Sequence, residues 1–203
     1  YFHFTFPPHD TILRLLDKNR FCHWAESAGW PVPRSWYINS VAELNEALKS
    51  IPYPAIVKPQ LKNEAFRASW IQKAFRAESP EELAGAYTII SAHEPEVVVQ
   101  EWIEGGDDRI AFVLGCWDRH SKPLGLFYGR KLRQWPLGTG NTAIAEPAPE
   151  AWAKAMAPLT EKIGSQCGFQ GLNSIEFKVE AGTDRFLITE PTVCRSDYQS
   201  EVA

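Results

Sequence analysis

The sequence predicts an α/β protein of the α+β type, built as two α/β lobes joined near residue 104. Three observations predict it. Apolar strand runs alternate with two capped helical segments through the first half. From Asp107 onward the pattern changes to longer strands, one long helix and a closing hairpin. Between the two halves lies "EGGDD", a glycine and acid break with turn chemistry. The expected organisation is therefore an N-terminal linker with helices over 1–33, a smaller lobe over 34–104, and a larger lobe over 105–203 carrying a candidate metal site.

Taken in order, "DTILRLLDKNRFCHWAESAG" reads as helical, with Asp10 as cap, Phe21, Trp24, Ala25 and Ala28 at helical spacing, and Gly29 as stop. "PVPRSWYI" is extended, since each proline biases its predecessor away from helix. "SVAELNEALKS" opens on a capping box of Ser40 and Glu43. "YPAIVKP" is a short apolar strand ended by Pro59, and after a polar loop "SWIQKAFRA" is extended again. "SPEELAGAYTIIS" is a second capped helix, with Ser79, Pro80 and Glu82 in the positions a helix start favours. "EVVVQEWI" is a buried strand. In the second half "RIAFVLGCW" and "PLGLFYGRKLRQW" are strands. "PEAWAKAMAPLTEKIGSQCG" is a helix, kinked at Pro158, with a stripe of Trp152, Met156, Leu159, Ile163 and Cys167 and a stop at Gly168.

Composition narrows the class. The 203 residues are 44% hydrophobic and 23% charged, ordinary for a globular chain with a real core. A formal charge of -4 gives no general attraction to nucleic acid or anionic membrane. Cys22, Cys116, Cys167 and Cys194 match no zinc or disulfide framework, so reduced thiols in a cytoplasmic protein are expected. No apolar run approaches the roughly 20 residues that span a bilayer, and no secretory leader is recognisable. The chain opens on "YFHFTFPPHD" without methionine and stops at "SDYQSEVA", as a piece of a longer protein would.

The closing hairpin, "GLNSIEFKVEAGTDRFLITEPTVCR", poses the chemical question. Both of its strands are apolar enough to be buried, yet each carries a glutamate, Glu176 and Glu190. An unpaired carboxylate in such a strand is costly. If "EAGTD" is the loop and Val179 pairs with Arg185, Glu176 faces Ile188 and Glu190 is its diagonal neighbour on the same face, about 7–8 Å away. A register shift of two sets the glutamates opposite each other; a slip of one separates their faces. Two carboxylates so placed call for a cation. Magnesium, a hard ion held by one or two carboxylates plus substrate phosphates, suits them. The alternative is pairing with Lys or Arg, or exposure on a half-buried strand. Lys58 closes the strand "AIVKP", where its compact charge could meet a phosphate. "GRKLRQW" is expected to put Lys131 and Arg133 on one face and Arg130 on the other.

These pieces, in this order, resemble the ATP-grasp ligases, whose fold holds ATP between two α/β lobes. The resemblance runs from Asp17 nearly to the end and rests on "DKNRFCHWAESAGWPVP", "YPAIVKP", "VVVQEWIEGGDD", "IEFK" and "ITEPT". "RKLRQWPLGTGNTAIAE" and "EPTVCRSDYQSEVA" look most like a bacterial branch of carboxylate–amine ligases. What the resemblance implies is ATP with Mg2+, or Mn2+ in its place, and substrates that are a small carboxylate and an amine. No nucleic acid or membrane partner is implied, and the oligomeric state stays open, a homodimer being one option. Lys18 and Lys58 would touch the phosphates, while Gln100, Glu101, Trp102 and Ile103 would frame adenine. Asp107 would take the ribose, with Glu104 or Asp108 as neighbours able to do so. Glu176, Glu190 and Thr192 would hold the metal. Lys131, Arg133 and Arg195 would serve the transferring phosphoryl group or the acceptor carboxylate. Thr192 stands where the family commonly has asparagine. The loop "PQLKNEAFRAS" lacks the usual glycines, leaving Lys62, Arg67 or Lys73 to supply charge. A nucleotide-binding regulatory module without turnover, or a phosphotransferase with another acceptor, are the competing functions.

Overall fold

The computed structural model describes residues 5–61, 64–69, 71–72, 74–135, 137–138 and 140–194. Its chain divides into two compact units, Asp17–Ile103 and a second made of Tyr1–Leu16 with Glu104–Ala203.

In the unit Asp17–Ile103, helix α2 (Lys18–Ser27) precedes strand β1 (Ser35–Ile38), helix α3 (Val41–Ala47), strand β2 (Ala55–Pro59), the short helix α4 (Glu64–Ala68), strand β3 (Phe75–Ala77), helix α5 (Pro80–Ser91) and strand β4 (Val97–Glu101). The four strands form one antiparallel sheet in the order β1-β4-β2-β3. Both expected caps form. Ser40 accepts from the Glu43 N–H at 3.2 Å and Ser79 from the Glu82 N–H at 3.2 Å. In each case the glutamate reaches back one residue beyond the cap, Glu43 to the Asn39 N–H and Glu82 to the Glu78 N–H. Those boxes aim α3 and α5 at one sheet face, where Ile38, Leu44, Val57, Leu83, Ile90, Val97 and Val99 make the core. By strand alternation, Ile56, Lys58, Val98 and Gln100 point to the other face.

The second unit contains helix α1 (His9–Leu16), strands β5 (Ile110–Trp117), β6 (Pro123–Trp135) and β7 (Asn141–Pro147), helix α6 (Glu150–Cys167), and strands β8 (Gly171–Val179) and β9 (Phe186–Val193). The sheet is antiparallel throughout, in the order β7-β6-β5-β8-β9. Helix α6 runs unbroken through Pro158 and stops at Gly168, whose φ of 67° is the left-handed conformation that glycine allows at no steric cost. Its buried stripe is Met156, Thr160, Ile163, Gly164 and Cys167. Trp117, 2% exposed, lies on Gly164 and meets the Phe169 ring edge-on at 5.6 Å. A methyl group on Gly164 would run into that buried indole. Gly164→Ala is therefore expected to destabilise the chain by roughly 1–3 kcal/mol, against the gain in helix propensity, as thermal unfolding would read.

Three elements depart from expectation. The first helix is two, because Asp17 leaves helical geometry and caps α2, accepting from the Arg20 N–H at 3.1 Å. Asp10 is then an acidic residue within the first turn of α1 and not the cap of a long helix. The N-terminal stretch is thus divided, α1 belonging to the second unit and α2 to the first. Part of the polar loop after β2 is helical (α4), and β7 adds an edge strand to the larger sheet.

Candidate functional site

In the unit Asp17–Ile103, Lys58 and Gln100 share the sheet face opposite the helical core. Lys58 Nζ donates to Gln100 Oε1 at 3.0 Å, and Gln100 Nε2 donates to Ser35 Oγ at 3.0 Å. Gln100 is buried, so this chain of bonds sets the direction of the half-buried lysine. Cys22 contacts the same amide, 3.7 Å away. Burial pushes the Cys22 thiol up, outweighing the nearby Lys58 charge, so it stays protonated and is no nucleophile.

A residue that sequence reading overlooked organises Lys18. Gln60 is buried just beyond β2; its Nε2 donates to both Asp17 oxygens, at 3.1 and 3.2 Å. Its Oε1 accepts from Asn19 Nδ2 at 2.7 Å. Asp17 and Asn19 flank Lys18, so the end of β2 is tied to the first turn of α2. A glutamine in a loop gives no periodic pattern; only the tertiary contact reveals it.

The segment Glu101–Ile103 has an unusual bonding pattern. The Glu101 N–H donates to the Arg34 carbonyl at 3.0 Å, but the Arg34 N–H donates to Glu101 Oε1 at 3.0 Å instead of to its main-chain carbonyl. The Trp102 N–H donates to Pro54 at 3.3 Å, and the Arg76 guanidinium covers the Trp102 ring at 4.4 Å. Among the described residues no hydrogen bond occupies the Glu101 carbonyl or the Ile103 N–H. An acceptor and a donor two residues apart form the pair that a purine edge, with one donor and one acceptor, can meet.

In the second unit the hairpin register determines what the two glutamates face. Val179 pairs with Phe186, one residue out from the expected register, and the ladder runs regularly to Phe177↔Ile188. There a β-bulge leaves Thr189 unpaired, and Glu176 pairs directly with Glu190. Had the ladder stayed regular, Glu190 would face Ile175 and enter the core; the bulge moves it back. Ser174↔Thr192 is the next pair on the same face. Two carboxylates and two hydroxyls therefore share one side of the β8–β9 ladder, away from Ile175 and Phe177 in the core.

Glu176 already has partners. Lys131 Nζ lies 2.6 Å from its Oε2, with the lysine side chain 5% exposed and the glutamate 23%. Thr189 Oγ1 donates to the Glu176 carbonyl at 3.2 Å and to its Oε1 at 3.3 Å. Pairing of a glutamate with lysine, one of the two alternatives read from sequence, is realised here without separating the two carboxylates.

The expected common face of Lys131 and Arg133 does not form. The β6–β7 register shifts on either side of Arg133, from Lys131↔Ala145 to Arg133↔Ile144 to Gln134↔Thr142. Strand alternation is broken there, so Lys131 and Gln134 are buried while Arg133 is exposed. Arg195 lies outside the described residues, as do Lys62 and Lys73, and the Arg67 side chain is not among those described.

Asp107 is committed to β6. Its Oδ2 accepts from the Gln134 N–H at 2.8 Å, and its Oδ1 from Gln134 Nε2 at 2.9 Å and the Gly138 N–H at 3.1 Å. Partial burial raises its pKa, but these bonds and the Lys178 charge outweigh burial and hold it below the usual range. A depressed folded value contributes stability above the unfolded pKa and loses it as pH falls through the folded one. Asp107→Asn should cost roughly 1 kcal/mol at neutral pH, a difference that shrinks as acid protonates the carboxylate, read by urea unfolding at neutral and acid pH. Lys178 secures the neighbouring turn, donating to the Gly105 carbonyl at 2.7 Å and the Gly106 carbonyl at 2.9 Å.

Among the described residues no group of three or more His, Cys, Asp and Glu could hold a metal ion. The donors available are the opposed pair Glu176 and Glu190 with the Thr192 hydroxyl beside them. That all-oxygen set is too small to enclose an ion but fits magnesium, which keeps water and phosphate in much of its shell. Zinc and copper favour nitrogen or sulfur ligands, whereas these three donors are all oxygens.

The whole arrangement, a four-stranded antiparallel sheet unit and a five-stranded one bearing the acidic hairpin, is the ATP-grasp fold. Biotin carboxylase from Campylobacter jejuni, solved with β,γ-ATP, superimposes with a TM-score of 0.78 over 97% of this chain and 44% of that one, at 17% identity. The D-alanine–D-alanine ligase of Coxiella burnetii gives 0.68 over 92% of this chain and 50% of that one, at 11% identity. By sequence, the chain is 29% identical over 183 residues to the D-alanine–D-alanine ligase of Verminephrobacter eiseniae, covering 86% of this chain and 53% of that protein. It is 24% identical over 200 residues to the carbamoyl phosphate synthase large chain of Methanobrevibacter smithii, covering 92% of this chain but 18% of that protein. It thus spans about half the length, or less, of these relatives. No protein-family model matches it.

Proposed function

We propose that the protein is an ADP-forming carboxylate–amine ligase that takes ATP with magnesium, manganese being able to replace it. The observation that carries this reading is the opposed pair Glu176↔Glu190 on one sheet face. The relatives named as D-alanine–D-alanine ligases support the reaction class, and the solved structure with β,γ-ATP supports the nucleotide. Because the chain spans about half of these relatives or less, the test below identifies the acid and the amine by product.

In this reading the Glu101 carbonyl and Ile103 N–H receive the adenine edge, with Gln100, Trp102 and Ile103 around it. Lys58, aimed by Gln100, and Lys18, placed through Gln60, meet the phosphates. Glu104 or Asp108 takes the ribose, since Asp107 is engaged with Gln134 and Gly138. Glu176, Glu190 and Thr192 hold the divalent ion, which when bound neutralises phosphate charge and polarises the phosphoryl oxygens. A substrate carboxylate attacks the γ-phosphorus, the bond to the bridging oxygen breaks, and ADP leaves, giving an acyl phosphate. An amine then displaces phosphate to form an amide. Both reactants are anions, so the barrier is charge repulsion and alignment. Lys131 lowers it from a buried position, with Arg133 and Arg195 available to the acceptor carboxylate. No protein nucleophile is required.

Among the described residues no helix is long and apolar enough to cross a membrane. The test is ADP release with MgATP and pooled carboxylates and amines, followed by product identification. ADP, phosphate and an amide together support the ligase. A phosphorylated product without an amide identifies a phosphotransferase, and nucleotide binding without ADP formation under any pairing identifies a regulatory module.

A further inference from the structure

We propose, resting on the reading above, that Lys131 is an internal counter-ion that keeps Glu176 closed to a divalent cation until a polyphosphate draws the ammonium away. Both Glu176 carboxylate oxygens are engaged, Oε2 by Lys131 at 2.6 Å and Oε1 by Thr189 at 3.3 Å. An arriving cation must share a carboxylate oxygen with one of these donors and sit beside a positive charge. The ammonium cannot retreat to water, because its side chain is 5% exposed and the irregular register beside it buries Lys131 and Gln134 together. It is also held from behind. Lys131 donates to Gln134 Oε1 at 3.4 Å, and Gln134 is fixed through its main-chain and side-chain nitrogens by Asp107. A buried ammonium gives up one anion only for another, and the triphosphate provides it. The cation then enters Glu176 as Lys131 turns to phosphate, so metal and nucleotide bind together and the metal alone binds weakly.

The experiment is titration of the full chain with Mn2+ alone, read by the electron paramagnetic resonance signal of free Mn2+, beside calorimetry with MnATP. Wild type is expected to bind Mn2+ alone weakly and MnATP well. Lys131→Met should bind Mn2+ alone at least about tenfold more tightly, since a nearby positive charge has been removed. Lys131→Arg, which keeps the charge, should remain as weak as wild type. The gain should vanish in Lys131→Met combined with Glu190→Gln, which locates it at the acidic pair. If circular dichroism shows Lys131→Met unfolded, Lys131→Gln, which retains a donor for Glu176, is read instead. Tight binding of Mn2+ alone by wild type, or no gain in the uncharged variant, overturns the counter-ion role while MnATP binding leaves the ATP reading intact. Failure of wild type to bind MnATP overturns the ATP reading itself, and the proposal with it.

Discussion

Glu190→Gln is expected to lower ADP formation by roughly a hundred- to a thousandfold while the thermal transition stays near that of wild type. Glutamine keeps the volume of the side chain and its place opposite Glu176 in the ladder. What it removes is one negative charge and one hard anionic ligand from a donor set with few to spare. Magnesium binds oxygen by charge, and an amide oxygen is a poor substitute for a carboxylate. The residue is half-buried, so loss of its charge changes little of the packing. A coupled assay for ADP checks the first half of the expectation and scanning calorimetry the second. Turnover near the wild-type rate would remove Glu190 from the chemistry. A large fall in stability would show that the opposed glutamates serve the fold.

Lys58→Ala is expected to weaken ATP binding about 10- to 150-fold, the loss of a charged hydrogen-bonding contact worth about 1.5–3 kcal/mol. The lysine is pre-aimed by Gln100, itself held by Ser35, so little side-chain entropy is lost when it meets phosphate. Gln100→Ala should give a smaller loss in the same direction, because the charge remains but its direction is free. Calorimetric titration with a non-hydrolysable ATP analogue reads both. Unchanged affinity in Lys58→Ala would assign the lysine to the sheet and not to the nucleotide.

The features legible in the sequence are those that local chemistry decides. Ser40 and Ser79 cap their helices because each glutamate lies three residues on, and the strands "AIVKP", "EVVVQE" and "RIAFVLGCW" are apolar enough to be buried in any context. The acidic pair was visible as two glutamates in apolar runs. Its geometry was not: the register with Val179 opposite Arg185 leaves the glutamates diagonal, whereas the register that forms would put them on opposite faces without the Thr189 bulge, and both depend on which residue of one strand meets which of the other. The same cause separated Lys131 from Arg133, since an irregularity within β6 reverses alternation without altering the hydrophobic pattern around it. Strand β7 was missed because "NTAIAEP" is an edge strand with little burial, so neither face writes an apolar period into the sequence. The break at Asp17 was hidden because helical spacing continues across it. Gln60 and the Asp107–Gln134 clasp are tertiary bonds between polar residues, for which one-dimensional spacing has no pattern.

The most direct measurement is a crystal structure with a non-hydrolysable ATP analogue and Mn2+, using the anomalous scattering of manganese to locate the ion. The account predicts a manganese peak on the triphosphate with Glu176 and Glu190 both ligating it at about 2.1–2.3 Å, and Lys131 turned from Glu176 to a phosphate oxygen. A nucleotide-bound manganese ion touching neither glutamate, with Lys131 still paired to Glu176, would contradict it.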